Sequence, residues 1–170
     1  LKDMENRKSM AMKVKYTTID FSPAYLSAVL EYLPDSTLIY DRFHLEQLLS
    51  RAVDTVRKQE QTEAIELKKT KYIWLRNEDS LTVKQRAKIY YLSYCFPKIG
   101  QAYRLKELFK QIFNNADMSS ALEDLNEWMK IASKSKIVPI QNFLNTLRAH
   151  WSGIINYFTK QYTNAFAEQL

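Results

Sequence analysis

Asp20, Asp41 and His44 are the residues of this chain whose types and spacing point to chemistry. Asp20 closes the apolar, β-branched run Thr17-Thr18-Ile19, and Phe21-Ser22-Pro23-Ala24-Tyr25 then opens a helix. That order puts a carboxylate at the carboxyl edge of a strand, where open α/β sheets collect their ligands. Tyr40-Asp41-Arg42-Phe43-His44 repeats the arrangement: a second short strand ends on Asp41, with His44 one turn into the next element. Two acids and an imidazole at one edge suit metal-dependent phosphoryl transfer. An Asp that ends a strand before Ser-Pro is equally a common turn and helix-capping residue, and His44 can simply pair with Asp41. On these residues alone both roles stay open.

The elements that must position them are set by periodicity and punctuation. Val14 to Ile19 alternate as a strand. Ser22 suits an N-cap and Pro23 a first helical residue, because proline lacks the N–H that would be orphaned there. Tyr25, Leu26, Val29, Leu30 and Leu33 form a helical stripe that stops before Pro34-Asp35, and Thr37 to Tyr40 read as the second strand. Strand, helix and strand in this order make a βαβ unit, expected to be parallel and right-handed.

From Leu45 the pattern is helical. Leu45, Leu48, Leu49, Ala52, Val53 and Val56 mark one face of a long helix running towards Lys69. Thr82 with Gln85 is a capping-box signal for a helix through about Cys95, Pro97 breaks it, and another helix follows through Tyr103, Leu105, Leu108, Phe109 and Ile112. Ser120 with Glu123 suggests a further capping box, Pro139 begins a helix through Phe158, and Thr163 is positioned to cap a last one. The fold class expected is an α-rich α/β protein.

Composition narrows the setting. The chain has 170 residues, 46% of them apolar, with only 2 Gly and 4 Pro, so it is long enough to bury a real core and has no low-complexity linker. A single cysteine, Cys95, excludes an internal disulfide framework and a multi-cysteine zinc site, and is expected to be a small buried hydrophobe. No apolar run reaches membrane-spanning length, and the charged amino end is unlike a signal peptide, so an intracellular protein is expected. A first residue other than Met and a stop at Leu170 in mid-pattern suggest cuts in a longer protein. The net charge of +6 is compatible with a polyanionic partner without establishing one. Lys68, Lys69, Lys71 and the Lys84–Lys88 segment are expected to be solvated faces that, against DNA, would hold phosphate without reading sequence. Trp74, Trp128, Trp151 and most of the 11 tyrosines lie on apolar stripes and are expected in the core. His150 is expected to be a satisfied helix histidine.

Four strings in the same order resemble the DDE transposases of bacterial insertion sequences, closest to the ISL3 family. They are Ile19-Asp20-Phe21-Ser22-Pro23-Ala24-Tyr25, Asp41-Arg42-Phe43-His44, Lys71-Tyr72-Ile73-Trp74-Leu75 and Thr163-Asn164-Ala165-Phe166-Ala167-Glu168. The resemblance implies a truncated ribonuclease H-like core, a parallel βαβ unit, with a large all-helical insertion. Residues 1–44 would be the second half of that core, 45–162 the insertion, and 163–170 the start of the core helix carrying the last acid. Asp20 matches the family's second catalytic acid and Glu168 its third, both as metal ligands. The first would lie upstream of Leu1. Asp41 and His44 match a supporting Asp-x-x-His signature. Asn164, four residues before Glu168 on one helix face, is placed to bond that carboxylate or a DNA phosphate.

The activity so implied is metal-dependent DNA strand cleavage and strand transfer by the parent protein. Its cofactor would be Mg2+ or Mn2+, held weakly or not at all by this chain alone, since Asp20 and Glu168 supply only part of a two-metal ligand set. The expected partners are DNA, as transposon ends and target, and further copies of the parent, in the bacterial cytoplasm and without a membrane. Two other readings compete: a non-enzymatic helical module binding protein or nucleic acid, and a hydrolase using Asp20 and Glu168 as an acid/base pair. Asp20 and Asp41 at opposite sheet edges would favour the module.

Overall fold

The computed structural model describes residues 14–115 and 117–160. The expected helical start at 1–12, the last helix from Thr163, Asn164 and Glu168 lie outside these residues.

Two short strands, β1 (Tyr16–Ile19) and β2 (Thr37–Tyr40), are joined by the helix α1 (Pro23–Tyr32). The strands pair in parallel, with Tyr16 opposite Thr37 and Ile19 opposite Tyr40. The βαβ expectation holds, although β1 begins two residues later than the alternation from Val14 suggests. Ser22 is the N-cap of α1 in extended backbone and Pro23 its first residue, but no side-chain bond from Ser22 closes the cap. Asp20 does related work, accepting the Ser22 N–H at 2.8 Å. The turn after α1 is tied to β1 through Ser36, whose Oγ accepts from Thr17 Oγ1 and donates to the Leu33 carbonyl, both at 2.9 Å.

The remaining α-helices are α2 (Arg42–Gln61), α3 (Lys71–Leu75), α4 (Val83–Cys95), α5 (Pro97–Ile112), α6 (Met118–Lys134), α7 (Val138–Ala149) and α8 (Trp151–Lys160). The chain divides into two compact units, one holding residues up to Leu45 together with those from His150, the other Glu46–Ala149.

In the first unit α8 packs on β2, whereas the family resemblance groups this helix with the insertion 45–162. Asn156 Nδ2 donates to the Leu38 carbonyl at 2.8 Å, satisfying a backbone group on the strand edge that β1 does not use. The helix approaches closely at Gly153. A Cβ there would lie 2.6 Å and 2.7 Å from Cδ2 and Cε2 of Tyr40. Tyr40 is only 2% exposed and its ring has no room to yield. Gly153→Ala is therefore expected to destabilise the chain by about 1–3 kcal/mol despite the better helix propensity of alanine. Urea denaturation followed by circular dichroism checks this; an alanine variant as stable as the parent would contradict it.

In the second unit α4 packs on α5, α5 on α6 and α6 on α7. Its centre is aromatic: Phe109 lies 4.9 Å from Trp128 and 5.3 Å from Phe143, edge to face in both cases. Trp128 Nε1 donates to the Leu105 carbonyl at 2.8 Å, which removes the cost of burying the indole N–H. Trp74, fully buried, donates to Thr70 Oγ1 at 3.0 Å and packs edge-on against Tyr103 at 5.6 Å. The Lys71–Leu75 string is thus an anchor of this core.

Several expectations are corrected. The helix from Leu45 ends at Gln61 instead of Lys69: Thr62 Oγ1 donates back to the Gln59 carbonyl at 2.7 Å, and Lys69 has φ of 59°, outside helical space. Ser120 is not the cap of α6. Asp117 is, accepting the Ser120 N–H at 2.8 Å, which makes Ser120 the third residue of the helix and a donor to the cap instead of the cap itself. The helix from Pro139 breaks at His150 into α7 and α8. Cys95 is exposed. Most tyrosines are not core residues: Tyr25, Tyr32, Tyr72, Tyr90, Tyr91 and Tyr94 are exposed, while Tyr40 and Tyr103 are buried. The Thr82–Gln85 capping box, in contrast, forms completely, with bonds of 3.0 Å and 3.3 Å.

Candidate active site

β1 and β2 end together, and their register puts Asp20 and Asp41 side by side at the carboxyl edge of the sheet. The Asp41 N–H donates to the Ile19 carbonyl at 3.1 Å, so the ladder continues to the base of both acids. Neighbouring strands run about 4.8 Å apart, a spacing at which carboxylates on adjacent strand ends can share a cation.

Each acid is fixed by the same local device. Asp20 Oδ1 accepts the N–H of Ser22 at 2.8 Å, and Asp41 Oδ1 accepts that of Phe43 at 2.9 Å. In both, the bond goes to the residue two positions on and turns the strand into its helix. The turn-forming role and the chemical role are therefore compatible: one oxygen closes the turn, and the carboxylate is held in place by it. His44 stands one turn into α2, with Nε2 at 3.8 Å from Asp41 Oδ2. That separation is too long for a hydrogen bond. Asp20, Asp41 and His44 line one open cleft of about 340 Å³ together with Thr18, Ile19 and Tyr25.

A wall behind the acids has no counterpart among the sequence motifs. Phe21 stacks on Tyr40 with ring centroids 4.5 Å apart and planes 9° from parallel. His150 meets both rings edge-on, at 5.1 Å and 4.8 Å, and its Nδ1 lies 2.7 Å from the Tyr40 hydroxyl. Burial pushes the Tyr40 phenol up and the His150 imidazole down from their ordinary values. Both shifts keep the pair neutral near pH 7, so it acts as an uncharged brace. Because Phe21 comes directly after Asp20 and Tyr40 directly before Asp41, this brace stiffens the backbone at both acids. His150 is satisfied, as expected, but at a helix junction and by a partner 110 residues away in sequence.

Hard oxygen ligands such as these two carboxylates suit Mg2+, which keeps several waters and needs few protein ligands. Among the described residues no group of three or more His, Cys, Asp or Glu is placed to hold a metal ion. The acids seen here fit as part of a ligand set. Glu168, the third acid of that set by family resemblance, lies outside the described residues.

A parallel strand pair ending on two aspartates, leading into a helical segment, is the arrangement expected of a DDE transposase, and sequence comparison bears out the class. The ISL3 family of DDE transposases, described simply as "Transposase", matches residues 2–170, and the chain belongs to that family. It is similar to the transposase for insertion sequence element IS1001 of Bordetella parapertussis, at 25% identity over 153 residues. That alignment covers 85% of this chain and 38% of the relative, so the chain spans well under half the length of the curated protein it matches. No solved structure matches. No helix among the described residues is long and apolar enough to cross a membrane.

Proposed function

We infer that this chain carries part of the catalytic core of a DNA transposase, and that the β1–α1–β2 unit is a portion of a ribonuclease H-like sheet. One observation supports this above the others. In a member of this family, the register sets Asp20 and Asp41 together at the carboxyl edge, lining one cleft. The same observation counts against the reading as a purely helical binding module, which would favour the two acids at opposite edges.

In this reading Asp20 is the second acid of the catalytic set and a metal ligand, and Glu168 is the third. Asp41 and His44 stand beside the site as supporting groups, and Asn164 orients Glu168 or a DNA phosphate. The first acid has no counterpart in this chain. Bound Mg2+ or Mn2+ supplies charge stabilisation for the attacking and leaving oxygens of the phosphodiester. The chain's own residues hold the ligand oxygens in place through the two Asp turns, and Phe21, Tyr40 and His150 brace them. The helical insertion, expected over 45–162, is in this reading the unit Glu46–Ala149, with α8 returning to cover β2, and 163–170 begin the helix of the last acid. The parent works as a homo-oligomer on transposon ends and target DNA in the bacterial cytoplasm.

Metal-directed cleavage tests the placement. In the intact parent, Fe2+ with ascorbate and peroxide, substituted for Mg2+, is expected to cut the polypeptide next to residues 20 and 41, and excess Mg2+ to suppress those cuts. Cleavage confined to other segments would overturn the assignment.

A further inference from the structure

Helix α4 has two apolar faces, and the fold uses one of them. Ile89 and Leu92 point inward and are buried. On the opposite side of the helix Val83, Tyr90 and Tyr94 are 83%, 82% and 84% exposed, with Ala87 exposed between them. These four succeed one another at steps of four, three and four residues. That is the a/d spacing by which one helix packs along another. Single exposed apolar residues need no explanation, but four in register over three turns make a continuous seam. Tyrosine suits such a surface, because its ring offers contact area while its hydroxyl tolerates water.

The seam is presented rigidly. A complete capping box fixes the start of α4. A Cβ on Gly100 would lie 2.7 Å from that of Ser93, so α5 backs α4 at near backbone contact. A partner would therefore meet a preformed surface, with little ordering cost on this side.

Charge then selects the occupant. Lys84 and Arg86 take the two positions that flank an a/d seam, one on each side, and α4 contains no Asp or Glu. Arg86 is held in place, donating to the Leu81 carbonyl from Nε at 3.3 Å and from Nη2 at 3.2 Å. Acids from other segments stand at the margins: Glu78 and Glu107 line the cleft beside Arg86, opposite Arg104, and Glu66 lies near Tyr91. Glu107 is engaged by Lys106 and Asp79 by Lys110, each at 3.1 Å. Lys84, Lys88 and Arg104 form no ion pair among the described residues, so the surroundings of the seam stay positive. A second copy laid on the seam would oppose Lys84 and Arg86 with the same cations, whichever way it ran. A helix with carboxylates at its own flanking positions meets both cations favourably.

We propose that the outer face of α4 docks an acidic amphipathic helix of a second protein. Its apolar stripe would lie on Val83, Ala87, Tyr90 and Tyr94, and its flanking carboxylates on Lys84 and Arg86. The proposal is independent of the catalytic reading and uses no residue of the Asp20 cleft.

Fluorescence anisotropy of the whole 170-residue chain with a labelled synthetic helix of four heptads tests it. The probe has Leu at a and d and Glu at e and g, and a control peptide has Lys at e and g. The Glu peptide is expected to bind saturably, and the Lys peptide at least tenfold more weakly. Tyr90→Ala with Tyr94→Ala is expected to weaken the Glu peptide about tenfold or more. Tyr90→Phe with Tyr94→Phe keeps the rings and is expected to retain binding. Lys84→Glu with Arg86→Glu is expected to reverse the preference, so that the Lys peptide binds the more tightly. All these side chains are exposed, and unchanged circular dichroism would show that the fold persists. Equal binding of the two peptides, or no binding of the Glu peptide, would overturn the proposal. So would self-association of the chain that the alanine variant abolishes, which assigns the face to a second copy. Displacement of the Glu peptide by an oligo-dT strand would assign it to nucleic acid instead. An intact parent that fails to bind the Glu peptide would show its own remainder covering the face, with the same consequence.

Discussion

Replacing Asp20 by Asn in the intact parent protein is expected to lower the rate of DNA strand cleavage about a thousandfold or more while leaving the local fold unchanged. The reasoning starts from the turn. Asp20 Oδ1 accepts the Ser22 N–H at 2.8 Å, and an asparagine carbonyl oxygen accepts the same bond. What the substitution removes is the negative charge, and with it a ligand for a hard cation. A metal stabilises the phosphoryl-transfer transition state by several kcal/mol, and each 1.36 kcal/mol is tenfold in rate. Asp41→Asn likewise keeps the bond to the Phe43 N–H. As a supporting group, Asp41 is expected to show a smaller loss than Asp20. Cleavage of a labelled transposon-end duplex under single-turnover conditions measures both. An Asp20→Asn enzyme within tenfold of the parent would mean that Asp20 only shapes the turn.

The largest effect on stability is expected at Lys106, in the second unit. Its ammonium donates to the carbonyls of Trp74 at 2.9 Å and Arg76 at 2.7 Å and lies 3.1 Å from Glu107 Oε1. Glu107 Oε2 in turn accepts the Glu78 N–H at 2.9 Å, so the pair ties α5 to α3 and to the turn before α4. Lys106→Met fits the volume but leaves a buried carboxylate and two buried carbonyls without their partner. Breaking one side of such a pair costs about 3–5 kcal/mol. A double variant with Glu107→Gln is expected to recover part of this loss, because the uncompensated charge disappears while an acceptor for the Glu78 N–H remains.

Lys106 also carries a pH signature. Desolvation lowers its pKa against the opposing pull of Glu107, so the folded chain holds this proton less tightly than the unfolded chain does. Between the lowered value and the ordinary 10.5 the unfolded state binds more protons, and stability rises with pH across that window. Below it the penalty of burying the charge is fully present. Urea denaturation between pH 7 and 10 is expected to show an alkaline rise that vanishes in Lys106→Met. A rise that persists in the variant would assign it to another group.

Much of the sheet edge was legible in the sequence because strong punctuation surrounds it. Ser22-Pro23 and Pro34-Asp35 bound α1, and the strands on either side are short and β-branched, so the parallel pair and the meeting of Asp20 with Asp41 are encoded in local signals. The Asp117 cap was legible in principle, but Ser120 and Glu123 offered a rival pattern, and only the backbone settles which side chain reaches an orphan N–H. The tyrosines misled for a different reason. Tyr90 and Tyr94 share the 3.6-residue spacing of a core stripe, yet α4 buries Ile89 and Leu92 instead. Periodicity identifies a face without saying which face is inside. The Tyr40–His150 brace carries no local signal, since its partners come from distant parts of the chain. The assignment of Glu168 rests on family resemblance alone.

That brace belongs to a unit assembled from two stretches of chain with the segment 46–149 between them. During synthesis the two strands emerge before that segment, whereas the helix that covers β2 and supplies Asn156 arrives only after all of it has been made. Until then the Leu38 carbonyl and the Tyr40 ring await their native contacts, and the strand edge is open to other chains. The segment 46–149 has its own packed core and is expected to fold while the strands wait. Closing the sheet edge is thus a late, long-range event, of the sort that folds slowly. For a protein of this kind, the order of folding would delay the stiffening of the Asp20–Asp41 edge until residues 150–160 have left the ribosome.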